Sequence, residues 1–309
     1  MNREHGQAAA LTVLFMTVLV LSAAAVIDVG SWYREDRDTQ RIADAAALAG
    51  AQALPDDHGT AQALALEYAG KNGGGVTLDN ISFETTVLSG DTIRVRVDRA
   101  AQSFFSQIAG IDSVNVGSTA KARAGTPDSA RFAAPITVNE EHPMLNDCSG
   151  PCFGPDYETA IDLLNLHRPS SGDAAGAFGL LNLRRGGGGT EGAEEVASWL
   201  AEGFDGFMPL GIYDSVPSAN FNSTHMGDAL DLRTGTEVLF PIYREPILGG
   251  GVNARFNIIG WVGFLITGAE NSGSGGHVEG YFTQVIWEGI LTNSGGSPDF
   301  GVRSVQLID

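Results

Sequence analysis

The polar and apolar positions of this chain open on a segment with no charge at all. From Ala8 to Ile27 the sequence AAALTVLFMTVLVLSAAAVI runs uncharged, and at ~1.5 Å per residue a helix of that length crosses the ~30 Å hydrocarbon core of a bilayer. Thr12, Thr17 and Ser22 interrupt the apolar run, and their hydroxyls can bond their own helix backbone. Asp28 closes the run in VIDVGSWY, and Trp32 and Tyr33 come next, where a membrane-interface aromatic belt belongs. Then TQRIADAAALAGAQAL sets Ala43, Ala47 and Ala51 four apart, beside a second row of Ala45, Ala49 and Ala53. Arg34 with Asp38, and Arg41 with Asp44, have helix-neighbour spacing. The pattern predicts one helix from Gln7 to Leu54, roughly 70 Å long, stopped by Pro55. Its alanine rows make a flat face that another backbone can approach closely. That face at Ala43, Ala47 and Ala51 suits packing on the chain's own ectodomain or on another subunit's helix, and the pattern leaves both open. Asp28 likewise reads as a solvated end cap or as the partner of a cationic group on a neighbouring helix.

After Pro55 the pattern shortens. AQALALEYAGKNGGG, Ala61 to Gly75, predicts a helix with Ala61, Leu64, Ala65 and Tyr68 on one face, ended by Asn72 and Gly73. NISFETTVL and DTIRVRVDR alternate as strands around the turn Ser89-Gly90-Asp91, with Ile93, Val95 and Val97 on one side. AQSFFSQIAGI predicts a short helix whose Phe104, Phe105 and Ile108 belong to the core, and SVNVGSTAKARAG an edge strand. GTPDSARFAAP, Gly125 to Pro135, reads as a linker. Beyond it come a strand from Phe178 to Leu183, a helix from about Glu191 to Glu202 capped by Thr190 and closed by Gly203, and a second helix opened by Asn222 or Ser223 and closed by Gly235, with Met226 and Leu230 inward. TEVLFPIY, ARFNIIGWVGFLITG, VEGYFTQVIWEGILT and GVRSVQLID then read as antiparallel strands. The second of them is apolar on both sides, so it belongs at the centre of a sheet, and Gly260, Gly263 and Gly268 predict bulges or close backbone approach. Trp261, Phe264, Tyr281 and Trp287 are expected in the core rather than in a binding groove. The resulting fold class is α+β: a transmembrane helix extended beyond the membrane (1–54), a small α+β module (55–125), and a β-rich antiparallel C-terminal domain with short helices (126–309).

Composition changes this picture little. Lys and Arg total 18 against 37 Asp and Glu, a net charge of −19, which repels nucleic-acid phosphates and keeps an ectodomain soluble. Cys148 and Cys152 are the only cysteines of the chain, in CSGPC. A turn between them favours a disulfide in an oxidising compartment; zinc would need two further ligands, and redox catalysis prefers a C-x-x-C spacing. Gly186 to Gly189 precede a helix start but lack the Lys-Ser/Thr of a phosphate loop. No nucleophile elbow, H-E-x-x-H or dinucleotide fingerprint occurs, and His277 with Glu279 is the one local His–carboxylate pair of the strand-rich half. No catalytic residue, cofactor or metal site is therefore expected.

Arg3 ahead of the apolar run and Ala23 to Ala25 at its end also fit a cleaved signal peptide. The run is longer than the ~7–15 residues of a typical signal core, and only Gly30 weakly breaks the helical pattern after it, so a retained anchor is the preferred reading. Arg34, Arg37 and Arg41 after the span count against an outward body by the positive-inside rule, but long domains translocate largely regardless of charge. Gly6 to Leu54, with its Gly-Gln start, DVG ending and ADAAALAGA run, resembles the N-terminal signature of the TadE/TadG-like proteins of the Flp (tight-adherence) pilus assembly system. FGLLNL, GGGGT, DALDLRTGTEVLFPIY and VIWEG are similar to the region C-terminal to that signature in such proteins, and imply no defined chemistry. The resemblance implies a bacterial, non-enzymatic cell-membrane protein with a pilin-like anchor helix, an extracytoplasmic body, and other pilus or secretion-system subunits as partners through that helix. Two departures limit the transfer. Counting from Gly6, Leu11 stands where processed pilins carry Glu, and Asp214-Ser-Val-Pro-Ser218 has the wrong spacing for a von Willebrand A metal motif. The alternatives are a secreted β-rich binding protein released by signal cleavage, or an exported hydrolase with a site assembled from distant residues.

Overall fold

The computed structural model describes residues 4–163, 179–184, 191–216, 220–249, 253–271, 276–291 and 298–308. Gly186 to Gly189, Thr190 as a cap, the Phe178 end of its strand and Ser218 lie outside the described residues. The chain separates into two compact units, Met1–Arg123 with Leu307–Asp309, and Ala124–Gln306.

The first unit begins with α1, Glu4–Ala51, an unbroken helix of 48 residues. It continues with α2 (His58–Lys71) and the strands β1 (Ile81–Glu84), β2 (Thr92–Gln102) and β3 (Ser113–Gly125). Asp57 caps α2 by accepting from the Thr60 amide at 2.9 Å, and Asn72 closes it. The strands form an antiparallel meander, with Ile81 opposite Val95 and Val95 opposite Ala120. As the alternation predicts, Ile93, Val95 and Val97 are fully buried while Arg94 and Arg96 face out. They pack with Ile42, Ala43, Ala46, Ala47 and Ala51 of α1 and with Ala61, Ala65 and Ala69 of α2, all buried. The hairpin is held by Asp91, whose carboxylate accepts from the amides of Thr86, Val87 and Leu88 at 2.8, 2.9 and 2.9 Å.

Three local expectations for this unit are corrected. The helix expected over Ala101 to Ile111 shrinks to a 3-10 turn, Ser106–Ala109, because β2 runs on to Gln102. Phe104, Phe105 and Ile108 are not core residues; they are 64, 44 and 91% exposed. The backbone of this loop is turned toward α1, which leaves its side chains on the outside. On α1, Asp38 pairs with Arg41 at 3.3 Å rather than with Arg34, and Asp44 accepts from Gln40 at 2.6 Å rather than pairing with Arg41.

The second unit contains β4 (Ser129–Ala130), β5 (Val138–Asn139), β6 (Thr159–Asp162), α3 (Ala193–Glu202), β7 (Met208–Pro209), β8 (Gly211–Asp214), α4 (Thr224–Arg233), β9 (Glu237–Leu248), β10 (Arg255–Glu270), β11 (His277–Thr283), β12 (Val285–Ile286), β13 (Gly289–Ile290) and β14 (Val302–Ile308). Among the described residues, a six-stranded sheet runs β5-β9-β10-β11-β6, with β8 also paired to β10. A three-stranded sheet runs β13-β4-β7. β10 is central, as its two apolar faces require: Phe256, Ile258, Trp261, Val262 and Phe264 are buried. Its register slips between Ile258 and Gly260 and between Ile266 and Gly268, and a Cβ at Gly260 would meet the Phe300 ring at 2.8 Å. Ser223 caps α4, Gly192 rather than Thr190 stands at the start of α3, and Met226 and Leu230 point into the core. Trp261 is a core residue whose indole N–H donates to the Pro127 carbonyl at 3.1 Å; Tyr281 and Trp287 are partly exposed. The stretch Gly125 to Pro135 is no exposed linker, since Ala130, Ala133 and Ala134 are buried in the core of this unit. Composition misleads there because small residues suit a tight core as well as a loop.

Candidate functional site

α1 changes character at Asp28. On its N-terminal side the helix is bare: Leu11, Leu14, Phe15, Val18, Val20 and Val26 are all exposed. Thr17 and Ser22 donate to the carbonyls of Val13 and Val18 at 2.9 and 2.8 Å, so neither hydroxyl needs an outside partner. A contiguous apolar surface of this extent is far larger than a soluble monomer leaves uncovered, and the segment is long and apolar enough to cross a membrane.

Asp28 itself is fully buried. It is neither a solvated cap nor the partner of a cation. Its carboxylate accepts from the backbone amides of Phe104 at 2.7 Å, Phe105 at 3.1 Å and Ser106 at 2.5 Å, and from the Ser106 hydroxyl at 2.5 Å. An ionised acceptor facing several backbone donors makes charge-assisted bonds, stronger than neutral ones. The loop is thereby clasped to the helix where the apolar run stops. Sequence offers little mark of this contact, because backbone amides are common to every residue and these lie more than seventy positions away. The one polar side chain in the clasp, Ser106, is the only residue-type signal it carries.

Beyond Asp28 the helix is progressively taken into its own unit. Trp32 is half-buried, and Tyr33 is exposed with its hydroxyl accepting from Arg37 at 2.8 Å. Glu35 pairs with Arg99 at 3.1 Å, and the same guanidinium donates to the carbonyls of Gly73 and, at 3.1 Å, Gly74. Thr39 and Ser118 share a hydroxyl–hydroxyl bond of 2.8 Å. Ala43, Ala47 and Ala51 are 0% exposed and covered from within the chain. The close approach is sharpest at Gly50, where a Cβ would stand 2.6 Å from Ile93 Cδ1 and 2.9 Å from the Ala61 carbonyl oxygen. The alanine face thus serves intramolecular packing, and the surface that α1 leaves open is its apolar N-terminal half.

The remaining expected sites carry less. A disulfide joins Cys148 and Cys152, with Cα atoms 5.2 Å apart. His277 lies on the exposed side of β11 with Nε2 3.3 Å from Glu279, and among the described residues no group of His, Cys, Asp and Glu is placed to hold a metal ion.

Helix and clasp together define a class: a long-helix protein whose apolar half stands free and whose polar half is built into an α+β unit. Comparison with known families finds a match over the helix alone. Residues 6–53, nearly the whole of α1, match the family described as putative Flp pilus-assembly TadE/G-like. No curated protein and no solved structure matches the chain.

Proposed function

We propose that this protein is a structural or assembly component of a bacterial Flp/Tad-type pilus or of its secretion apparatus, held in the cell membrane by residues 8–27 with its body on the extracytoplasmic side. The carrying observation is the coincidence of the family match at residues 6–53 with a helix that is apolar and bare up to Asp28 and buried beyond it. Such a helix does what an anchor for assembly requires: it holds the α+β unit built around its polar half at the bilayer surface. The role is non-enzymatic, in keeping with the family. Because Ala43, Ala47 and Ala51 are occupied within the chain, other pilus subunits meet α1 along its open N-terminal half, in the plane of the membrane.

Carbonate extraction and site-directed photocrosslinking test this together. The full-length chain stays in the membrane pellet at alkaline pH, externally added protease digests the body in spheroplasts, and a photocrosslinker at Val18 captures a pilus subunit. Release by carbonate with a mature N-terminus near Val26 overturns the anchor, and crosslinks to lipid alone overturn the subunit contact.

A further inference from the structure

The loop clasped by Asp28 carries a surface that the fold itself does not use. Ser103 to Ile111 reads SFFSQIAGI, without a charge. Its four large apolar side chains, Phe104, Phe105, Ile108 and Ile111, are all exposed, Ile108 to 91%. The loop is nonetheless well built. The Ser103 amide donates to the Asp112 carbonyl at 3.0 Å across its base, the Ile111 amide donates to the Ser106 carbonyl at 3.1 Å, and Gly110 closes the turn at φ 84°. Its amides at Phe104 to Ser106 are fixed on Asp28 within hydrogen-bond distance, directly after the last residue of the uncharged run. Next to Asp28, the helix exposes Val26, Ile27 and Val29. The apolar surface of the loop is therefore held beside the helix at the height where the membrane-length segment ends.

We propose that the Phe104–Ile111 loop is a second membrane contact, which inserts its phenylalanine and isoleucine side chains into the headgroup–acyl boundary of the same bilayer that α1 crosses. This rests on the anchored reading of residues 8–27. Three features favour lipid over a protein partner. The loop from Ser103 to Ile111 carries no charge of its own, it is fixed to the helix at the membrane edge, and aromatic side chains are at home in the interface, where apolar groups sink ~5–10 Å. The consequence is mechanical: a rod held at one point is free to tilt and rotate, whereas a rod with a lateral foot keeps one face of the first unit toward the membrane.

The test uses the full chain in vesicles of phosphatidylethanolamine and phosphatidylglycerol, with an environment-sensitive fluorophore on a single introduced cysteine. The native cysteines, joined to each other, do not take the label. Labels go at Ile108 in the foot, at Val18 in the span, and at exposed Glu67 on α2. Because Asp28 holds backbone amides, the Ile108→Cys change leaves the clasp intact. The expected result is a blue shift at Ile108 with loss of emission when the lipids carry bromine high on the acyl chain, loss at Val18 from bromine near the chain ends, and no change at Glu67. Loss at Val18 without any at Ile108 overturns the foot and leaves the anchor standing. No loss at either position overturns both. A blue shift at Ile108 that appears only when a pilus subunit is added overturns the lipid assignment in favour of protein.

Discussion

Asp28 and Asp91 show how one buried carboxylate organises a loop chiefly through backbone donors. In the Asp28→Asn variant an amide NH₂ replaces one acceptor oxygen and faces the donors of Phe104 to Ser106, so the clasp loses its charge and gains a donor–donor conflict. Faster hydrogen exchange at the Phe104–Ser106 amides is expected, with β9 and β10 unaffected; equal protection in both proteins would show that the carboxylate is not what holds the loop. For Asp91, burial alone would raise the carboxyl, but the amides of Leu88, Thr86 and Val87 and the Thr92 hydroxyl outweigh it and hold it below its ordinary value of 3.8. A lowered folded value means stabilisation that is complete above the ordinary value and is lost as pH falls through the folded one. Denaturation midpoints measured against pH should therefore show a shallower acid decline in Asp91→Asn than in the parent. At neutral pH the variant loses ~1–3 kcal/mol, the scale for a buried polar group left unsatisfied.

At the scale of elements, the α1–α2–β2 contact sets helix propensity against packing. Alanine is better than glycine in a helix interior by ~1 kcal/mol, so Gly50→Ala would stabilise α1 if space allowed. The new Cβ meets the Ala61 carbonyl oxygen at 2.9 Å, a backbone atom that cannot swing aside, and overpacking costs ~1–3 kcal/mol. A net loss is expected at Gly50, and a larger one for Gly50→Val. At Gly30, where nothing lies within 4 Å, the same change to alanine gains up to ~1 kcal/mol. Thermal midpoints moving in opposite directions would confirm the contrast; a gain at both positions would mean that α1 shifts away from α2 at little cost. The helix and its alanine rows were readable in sequence because spacing fixes which residues share a face. What covers the face was not, since small residues serve packing within and between chains alike. Phe104, Phe105 and Ile108 escaped for a related reason: apolarity marks a side chain that avoids water, and a membrane surface satisfies that as well as a core does.

For the whole molecule, the span and the folded body are separable in the energetics. The side chains described from Ala9 to Ile27 contribute nothing to either buried core, whereas α1 from Asp28 onward supplies Asp28, Ile42 and the alanines against which α2 and β2 pack. This division was half legible: the end of the uncharged run announced where the span stops, but nothing in the pattern announced that the helix beyond it completes the core. A chain starting at Val26 should accordingly fold in buffer without detergent, with the circular dichroism of its strands and the thermal midpoint of its body unchanged from the full-length protein in detergent. A chain starting at Pro55 removes the partners of Ala61, Ala65, Ala69, Ile93 and Val95, and burying each large aliphatic side chain stabilises by ~1.5–3 kcal/mol, so hydrogen exchange at the amides of α2 and β2 should lose its protection while β9 and β10, in the other unit, keep theirs. Full protection of α2 and β2 in a chain from Pro55 would show that α1 is a passive stalk, and the clasp and alanine packing would then be contacts of convenience rather than part of the fold.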